Sequence, residues 1–221
     1  AYDIMDNEID LSNSNISNIS GLEYLNPSSI NLSNNNISDI SGIEKWNQLT
    51  SVDLSYNKIS NIAPISNLFY MIEDGRNYAW DYWDIHTEID LSHNKISDIT
   101  CVAKWKNIGN LNLSYNMISD IAVLNDYIYI EDTFEGQKNI DLSNNYINLE
   151  NKNNLAAKEY FEKNKNPLLL DNQKSLSDIV GFEVSKKYDK NTNKVTVTIT
   201  SKSELQATKP TWKLSDDKLK Y

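Results

Sequence analysis

An eleven-residue phrase recurs six times along this 221-residue chain. It reads IDLSNSNISNI from Ile9, INLSNNNISDI from Ile30 and VDLSYNKISNI from Val52. It returns as IDLSHNKISDI from Ile89, LNLSYNMISDI from Leu111 and IDLSNNYINLE from Ile140. The start-to-start steps are 21, 22, 37, 22 and 29 residues. A single unit of this length cannot bury its own apolar face, so the repeats must stack and share one continuous core. The skewed composition follows from the phrase: about one residue in seven is asparagine, and isoleucine is the commonest apolar residue.

Each column of the phrase has a physical reading. The first two apolar positions, such as Ile30 and Leu32, are two apart and face one side of a short strand. The Asn that follows (Asn35, Asn57, Asn94, Asn116, Asn145) falls where the chain leaves the strand. A side-chain amide both donates and accepts, so stacked Asn residues can satisfy the backbone of their own turn and of the neighbouring one. The first repeat carries Ser14 there. Further inward columns are Ile16, Ile37, Ile59, Ile96, Ile118 and Ile147, then Ile19, Ile40, Ile62, Ile99 and Ile121. After these come Leu22, Ile43, Ile65, Val102 and Leu124, and finally Leu25, Trp46, Leu68, Trp105 and Tyr127. The register makes Trp46 and Trp105 core residues. The Asn or Asp before the second Ile (Asn18, Asp39, Asn61, Asp98, Asp120) is placed to cap a short helical turn.

The phrase resembles the bacterial leucine-rich repeats of about 22 residues found in internalin-like surface proteins of Gram-positive bacteria. The resemblance covers roughly Ile9 to Leu155. It implies an α/β fold, a right-handed solenoid with a parallel sheet on its concave side. Two features depart from that pattern. The third repeat carries about 15 extra residues and the fifth about 7, and only eight residues precede Ile9, which suggests a shortened N-terminal end without the family's helical cap.

Residues 1–170 are expected to form the repeat domain. A charged segment from Asn151 to Asn164, containing Leu155, Ala156, Tyr160 and Phe161, reads as a helix closing the core. Pro167 then breaks the pattern, and Leu168 to Leu170 pack against something. Residues 171–221 are expected to form a separate β segment, in which the periodicity becomes two from Gly181. Phe182 and Val184 alternate with polar residues, Asp189 to Lys194 reads as a turn, and Val195, Val197 and Ile199 alternate with threonines. That is a β-hairpin with one apolar face. Further strands are expected near Trp212 to Leu214 and Leu219 to Tyr221. The stretch resembles the start of a bacterial immunoglobulin-like domain, but it is too short for a whole sandwich.

Charge and missing motifs narrow the function. Lys and Arg number 21 against 31 Asp and Glu, giving a net charge of −10. An acidic chain repels phosphate backbones and anionic lipid, which argues against nucleic acid and membrane surfaces as partners. No stretch approaches the roughly 18 apolar residues of a membrane span. No phosphate-cradling loop and no nucleophile–base arrangement fits the repeat register, so the chain is read as non-enzymatic, without cofactor or metal. His86, Glu88 and Asp90 share a strand face, but any polar strand produces such spacing. Cys101 stands alone in the sequence, has no histidine base in register, and reads as a packed thiol.

Two surfaces are candidates for ligand contact. On the solvent side of the strands run an acidic column containing Asp53 and Asp90, an unbroken Ser column (Ser12, Ser33, Ser55, Ser92, Ser114, Ser143), and beside it Tyr56, His93 and Tyr115. Tyrosine is a common interface anchor, although Asp-Leu-Ser is also the default phrase of such repeats. The second surface is the aromatic insert, with Phe69, Tyr70, Tyr78, Trp80, Tyr82 and Trp83, joined at the same edge by Tyr127, Tyr129 and Phe134. Insertions in repeat proteins map to one face, often the binding face; the alternative is that these rings tuck against the core. Together with the resemblance, these surfaces imply a monomeric recognition module at the bacterial cell surface, with a protein partner such as a host surface protein. A rigid spacer, or an accessory that positions a catalytic domain elsewhere, is the alternative.

Overall fold

The structure is a computed structural model that describes residues 7–46, 49–68, 87–105, 108–126, 139–164, 166–175, 182–189 and 194–201. The chain divides into two compact units, Ala1–Lys174 and Ser175–Tyr221.

In the first unit six strands form one parallel sheet in chain order. They are β1 (Glu8–Asp10), β2 (Ser29–Asn31), β3 (Ser51–Asp53), β4 (Thr87–Asp90), β5 (Ile108–Asn112) and β6 (Asn139–Asp141). The register is the one the phrase dictates: Ile9 pairs Ile30, which pairs Val52, then Ile89, Leu111 and Ile140. Between β4 and β5 the pairing slips, Thr87 to Ile108 and Glu88 to Asn110, so Gly109 forms a bulge. The return limbs carry 3₁₀ turns at Ile43–Lys45, Ala63–Leu68, Thr100–Lys104 and Ala122–Asp126.

The column that precedes these turns acts a little upstream of a helix cap. Asn18, Asp39, Asn61, Asp98 and Asp120 each accept the backbone N–H two residues on, at 2.8–3.0 Å. The helical N-caps proper, Gly42 and Ile99, supply no side-chain cap bond of their own. The Asx turn therefore steers the chain into the return limb rather than capping the helix. The bonds from the Ser41 hydroxyl and N–H hold the Asp39 carboxyl below its usual range, and the Thr100 N–H does the same for Asp98.

From the second repeat on, the inward Ile, Leu and Val whose side chains are described are buried almost completely, and so are Trp46 and Trp105, whereas Ile9, Leu11, Ile16 and Leu22 of the first repeat are partly buried. The two indole N–H groups are satisfied by Leu22 O at 3.1 Å and Ser66 Oγ at 2.9 Å. Leu25 departs from the expected inward column: it is 40% exposed, because no described repeat lies outside the first to cover it. Tyr127 lies outside the described residues, as do all the aromatics named for the two inserts.

The asparagine ladder fills the turns. Asn116 Nδ2 donates to Leu113 O and Ser114 O of its own repeat and to Leu91 O of the repeat before, at 2.9–3.2 Å. Its Oδ1 accepts the Ile96 N–H, again of the repeat before, at 3.0 Å. Asn57, Asn94 and Asn145 repeat the pattern. Asn35 does too, and also accepts from Ser14 N, which explains how the first repeat manages with serine. Buried backbone groups must find partners, and here one side chain serves two turns.

The helix α1 (Lys152–Lys163) forms where the charged segment places it, with Asn151 as N-cap accepting from Asn153 N. Its inward face is Asn154, Ala157 and Phe161, whereas Leu155 is 38% exposed. Asn154 substitutes for a ladder asparagine one column further on: it accepts from Ile121 N and donates to Ser119 O and Asn148 O. Leu168 to Gln173 then form a seventh, abbreviated turn that the sequence reading missed. Leu169 bridges Asp141, and its carbonyl accepts from Leu142 N. Gln173 is the last rung: Oε1 accepts from Ile147 N at 3.0 Å and Nε2 donates to Leu142 O and Leu170 O.

In the second unit β7 (Phe182–Asp189) and β8 (Lys194–Ser201) pair antiparallel, from Phe182 with Ser201 to Asp189 with Lys194. This is the hairpin that the period of two implied. The strands expected near Trp212 and Leu219 lie outside the described residues.

Candidate functional site

The site begins with a backbone peculiarity. The residue between the buried Ser and the ladder Asn adopts a left-handed conformation in every repeat, with φ between 53° and 57° at Asn13, Asn34, Tyr56, His93, Tyr115, Asn144 and Asn172. The conformation is imposed by pairing. The N–H of each residue from Asn13 to Tyr115 donates to the Ser carbonyl of the next repeat, and that of Asn144 to Asp171 O, all at 2.9–3.1 Å. Asparagine tolerates this region well, whereas other side chains pay roughly 1–2 kcal/mol there. Four repeats use asparagine. Three consecutive ones place Tyr56, His93 and Tyr115 in the same slot.

The three rings stack. Tyr56 and His93 have centroids 3.9 Å apart, His93 and Tyr115 4.1 Å, each pair 11° from parallel. The outer members stay open to solvent, Tyr56 at 51% and Tyr115 at 43%. Lys174 places its ammonium 5.5 Å from the Tyr115 ring and 5.6 Å from the Tyr146 ring, which ties this ridge to the column two residues on. That column reads Lys58, Lys95, Met117 and Tyr146, and Met117 is 45% exposed. Partial burial between the rings pushes the His93 pKa down; Asp90 opposes the shift and Lys174 adds to it.

On the other side of the ridge lies the open face of the sheet. Asp53 and Asp90 are register neighbours there. Asp53 Oδ1 accepts from Ser55 N at 2.9 Å. Asp90 Oδ1 accepts from Ser92 N at 2.8 Å, and its Oδ2 from Asn112 Nδ2 at 3.0 Å. Asn110 donates to Glu88 and Asn139 to Asn110, so the polar face is cross-linked strand to strand.

The four inner serines of the Ser column are not on this accessible face, contrary to their expected place there, while Ser12 and Ser143 at its ends are half-buried. Ser33, Ser55, Ser92 and Ser114 are only 6–7% exposed. The strands of this sheet are three to five residues long and end before the serine, so strand alternation no longer applies to it. Its N–H folds back onto the Asp or Asn two residues earlier, and its carbonyl is consumed by the ladder.

The structure thus brings Tyr56, His93 and Tyr115 together, with Asp53 and Asp90 alongside. Tyr78, Trp80, Tyr82 and Trp83 lie outside the described residues, as does His86. Lys58, Lys95, Met117, Tyr146 and Lys174 were missed by sequence reasoning. The signal was present: they occupy one column of the phrase, but Lys and Met there look like ordinary solvated residues. Among the described residues no group of three His, Cys, Asp or Glu could hold a metal ion. Among the described residues His93 stacks on the Tyr56 and Tyr115 rings. Cys101 is half-buried against the core. No helix among the described residues is long and apolar enough to cross a membrane.

A parallel sheet of one strand per repeat, closed by a polar ladder, is the architecture of a leucine-rich-repeat solenoid. Residues 28–67 match the family described as Leucine Rich repeats (2 copies). Among solved structures, an internalin (inlF) of Listeria monocytogenes is similar with a TM-score of 0.56 at 25% identity, over 76% of this chain. The chain spans 42% of the length of that protein. Internalin C2 of the same organism shares 19% identity over 63% of this chain and 74% of its own, with a TM-score of 0.39. The functional domain of its InlJ shares 14% over 65% and 29%, with a TM-score of 0.37. No curated protein matches the sequence. The first unit therefore has a leucine-rich-repeat fold, similar to that of the internalin of Listeria monocytogenes.

Proposed function

We propose that this chain is a non-enzymatic protein-recognition module of a Gram-positive bacterial cell-surface protein, and that the Tyr56–His93–Tyr115 ridge is its contact surface. The carrying observation is the aromatic stack held at positive φ. Strain of this kind persists where the surroundings fix it, and it clusters at sites of function. The fold does not require rings there, because Asn13, Asn34, Asn144 and Asn172 fill the same slot without strain. Tyrosine offers a large, stiff contact area at low entropic cost. The internalin likeness supports a secreted, wall-associated setting and a protein partner, including one on a host cell. Tyr78, Trp80, Tyr82 and Trp83 belong to the proposal as a second contact region.

The test is binding of the fragment to an array of host surface proteins and cell-wall glycans. The control carries Tyr56→Asn, His93→Asn and Tyr115→Asn. Each asparagine relieves αL strain while a stacked pair, worth about 0.5–1.5 kcal/mol, is lost, so the variant should melt close to the parent. A saturable protein hit that this variant loses supports the ridge. A hit that survives it but is lost on Trp80→Ala, Tyr82→Ala and Trp83→Ala moves the contact to the insert. No hit at micromolar protein refutes the recognition reading and leaves the spacer.

A further inference from the structure

We infer that the ridge reads the charge order of its partner: it fits a protein segment with an apolar or aromatic centre, cationic side chains on the sheet side and carboxylates on the other. The inference rests on the ridge being the contact surface, and adds which chemistry must lie on each side of it.

The layout follows from the columns. In each repeat the chain runs from the sheet face, through the ridge, to the column beyond. On the sheet face stand Glu8, Asp10, Asp53, Glu88, Asp90 and Asp141, interleaved with Ser and Asn and with no Lys or Arg in either column. Beyond the ridge stand Lys58 and Lys95, with Lys174 at the far end of the ring stack. Among the described residues neither Lys58 nor Lys95 forms an ion pair; the pairs present are Lys45–Glu23 and Lys158–Glu162, both away from the ridge. The aromatic ridge thus separates a carboxylate row from an ammonium row. The two signs do not neutralise each other across it.

The sheet-face row is held in place. The Asp carboxylates are anchored by the N–H two residues on, and the cross-strand amides of Asn110, Asn112 and Asn139 fix their neighbours. A row held this way presents its charge at strand spacing, roughly 4.8 Å per repeat. Such complementarity selects the register and orientation of a partner more than it adds affinity. A uniformly acidic or uniformly basic partner would meet like charge on one side. A neutral glycan would leave both rows unused. Only a zwitterionic polypeptide surface satisfies both.

The fold supplies its own neutral controls. Asn31 and Asn112 occupy the Asp53/Asp90 column, and Asn36, like Lys58 and Lys95 outside the left-handed region, occupies the Lys58/Lys95 column, so asparagine is already accommodated at equivalents of these four positions. The experiment selects a displayed random-peptide library on the wild-type fragment. Binders are then measured on three variants: Asp53→Asn with Asp90→Asn, Lys58→Asn with Lys95→Asn, and the triple asparagine ridge variant. The expected result is enrichment of peptides with basic and acidic residues on opposite sides of an aromatic or apolar centre. Each neutralised row should weaken them about three- to tenfold at low salt, with the loss shrinking as salt rises. Charge-scrambled versions of the same peptides should bind the wild type equally weakly, with or without the substitutions.

Binders of a single charge sign, binders unaffected by both row variants, or no enriched binder at all would overturn the inference. Failure of the ridge itself reads differently: binders would then be indifferent to Tyr56→Asn, His93→Asn and Tyr115→Asn, whatever their charge.

Discussion

Replacing Asn116 by aspartate changes one atom and should damage the protein more than removing the side chain does. Asn116 is 2% exposed, and its Nδ2 faces three carbonyls, Leu91 O, Leu113 O and Ser114 O, at 2.9–3.2 Å. All three have another donor: Leu91 O takes Asn94 Nδ2, Leu113 O takes Asn145 Nδ2, and Ser114 O takes the His93 N–H. Only the Ile96 N–H depends on Asn116 alone. Asn116→Ala therefore orphans one buried donor and thins three shared bonds, a loss of about 2–4 kcal/mol. Asn116→Asp keeps the acceptor for Ile96 but aims a carboxylate oxygen at three carbonyls. The group must take up a proton to fit. Holding it neutral at pH 7 against an unfolded pKa near 3.9 costs about 4 kcal/mol, and at pH 5 about 1.5 kcal/mol, at 1.36 kcal/mol per unit. The sign follows from linkage: the folded pKa is raised, so the folded variant binds more protons and gains stability as pH falls toward 3.9. Urea midpoints of wild type, Asn116→Ala and Asn116→Asp at pH 7 and pH 5 provide the assay. The aspartate variant should be the weakest at pH 7 and recover by about 2–3 kcal/mol relative to Asn116→Ala at pH 5. Equal losses with no difference in pH response would mean that the amide does not donate to the turn carbonyls, and the ladder would be wrong.

Three further outcomes are expected. The depressed His93 pKa means that the unfolded chain protonates first as pH falls, so this residue contributes stability that is present above about pH 6.5 and lost below it; the wild type minus His93→Asn difference in urea midpoint should shrink between pH 7.5 and pH 5, and a constant difference would refute the packing of the imidazole. Gln173→Ala leaves the Ile147 N–H without its acceptor, so hydrogen exchange at Ile147 should accelerate by at least tenfold while exchange at Ile59 stays unchanged. Phe161→Ala empties a fully buried site between α1 and the core and should cost about 3–5 kcal/mol in a denaturant titration.

The repeat made most of the first unit legible, because each column is written six times and one deviant letter cannot hide it. The sheet, its register, the buried tryptophans and the amide ladder all follow from that redundancy. The errors fall where redundancy ends. Leu25 sits in an end repeat with no described neighbour outside it. The seventh turn carries Leu169 for aspartate, Asp171 for serine and Gln173 for asparagine, so its letters disguise a preserved hydrogen-bond pattern. The serines were placed on the open face by a period of two that such short strands do not sustain. The left-handed slot was readable in principle from Asn13, Asn34 and Asn144, and recognising it would have singled out Tyr56, His93 and Tyr115 as the residues that least belong there.

The ladder also has a direction. Each asparagine completes the turn of the repeat before it, never the one after. No repeat is finished by its own residues; it waits for its successor. During synthesis from the N-terminus the newest repeat is always the open one, with a backbone N–H still seeking its acceptor, and closure advances one unit behind elongation. Inserting or deleting a whole unit in mid-array leaves this relation intact, because every unit brings the amide its predecessor needs. Only the final unit cannot be served by another copy of itself. Gln173 is that exception: in the abbreviated seventh turn it gives the last full repeat the bonds that an asparagine gives elsewhere.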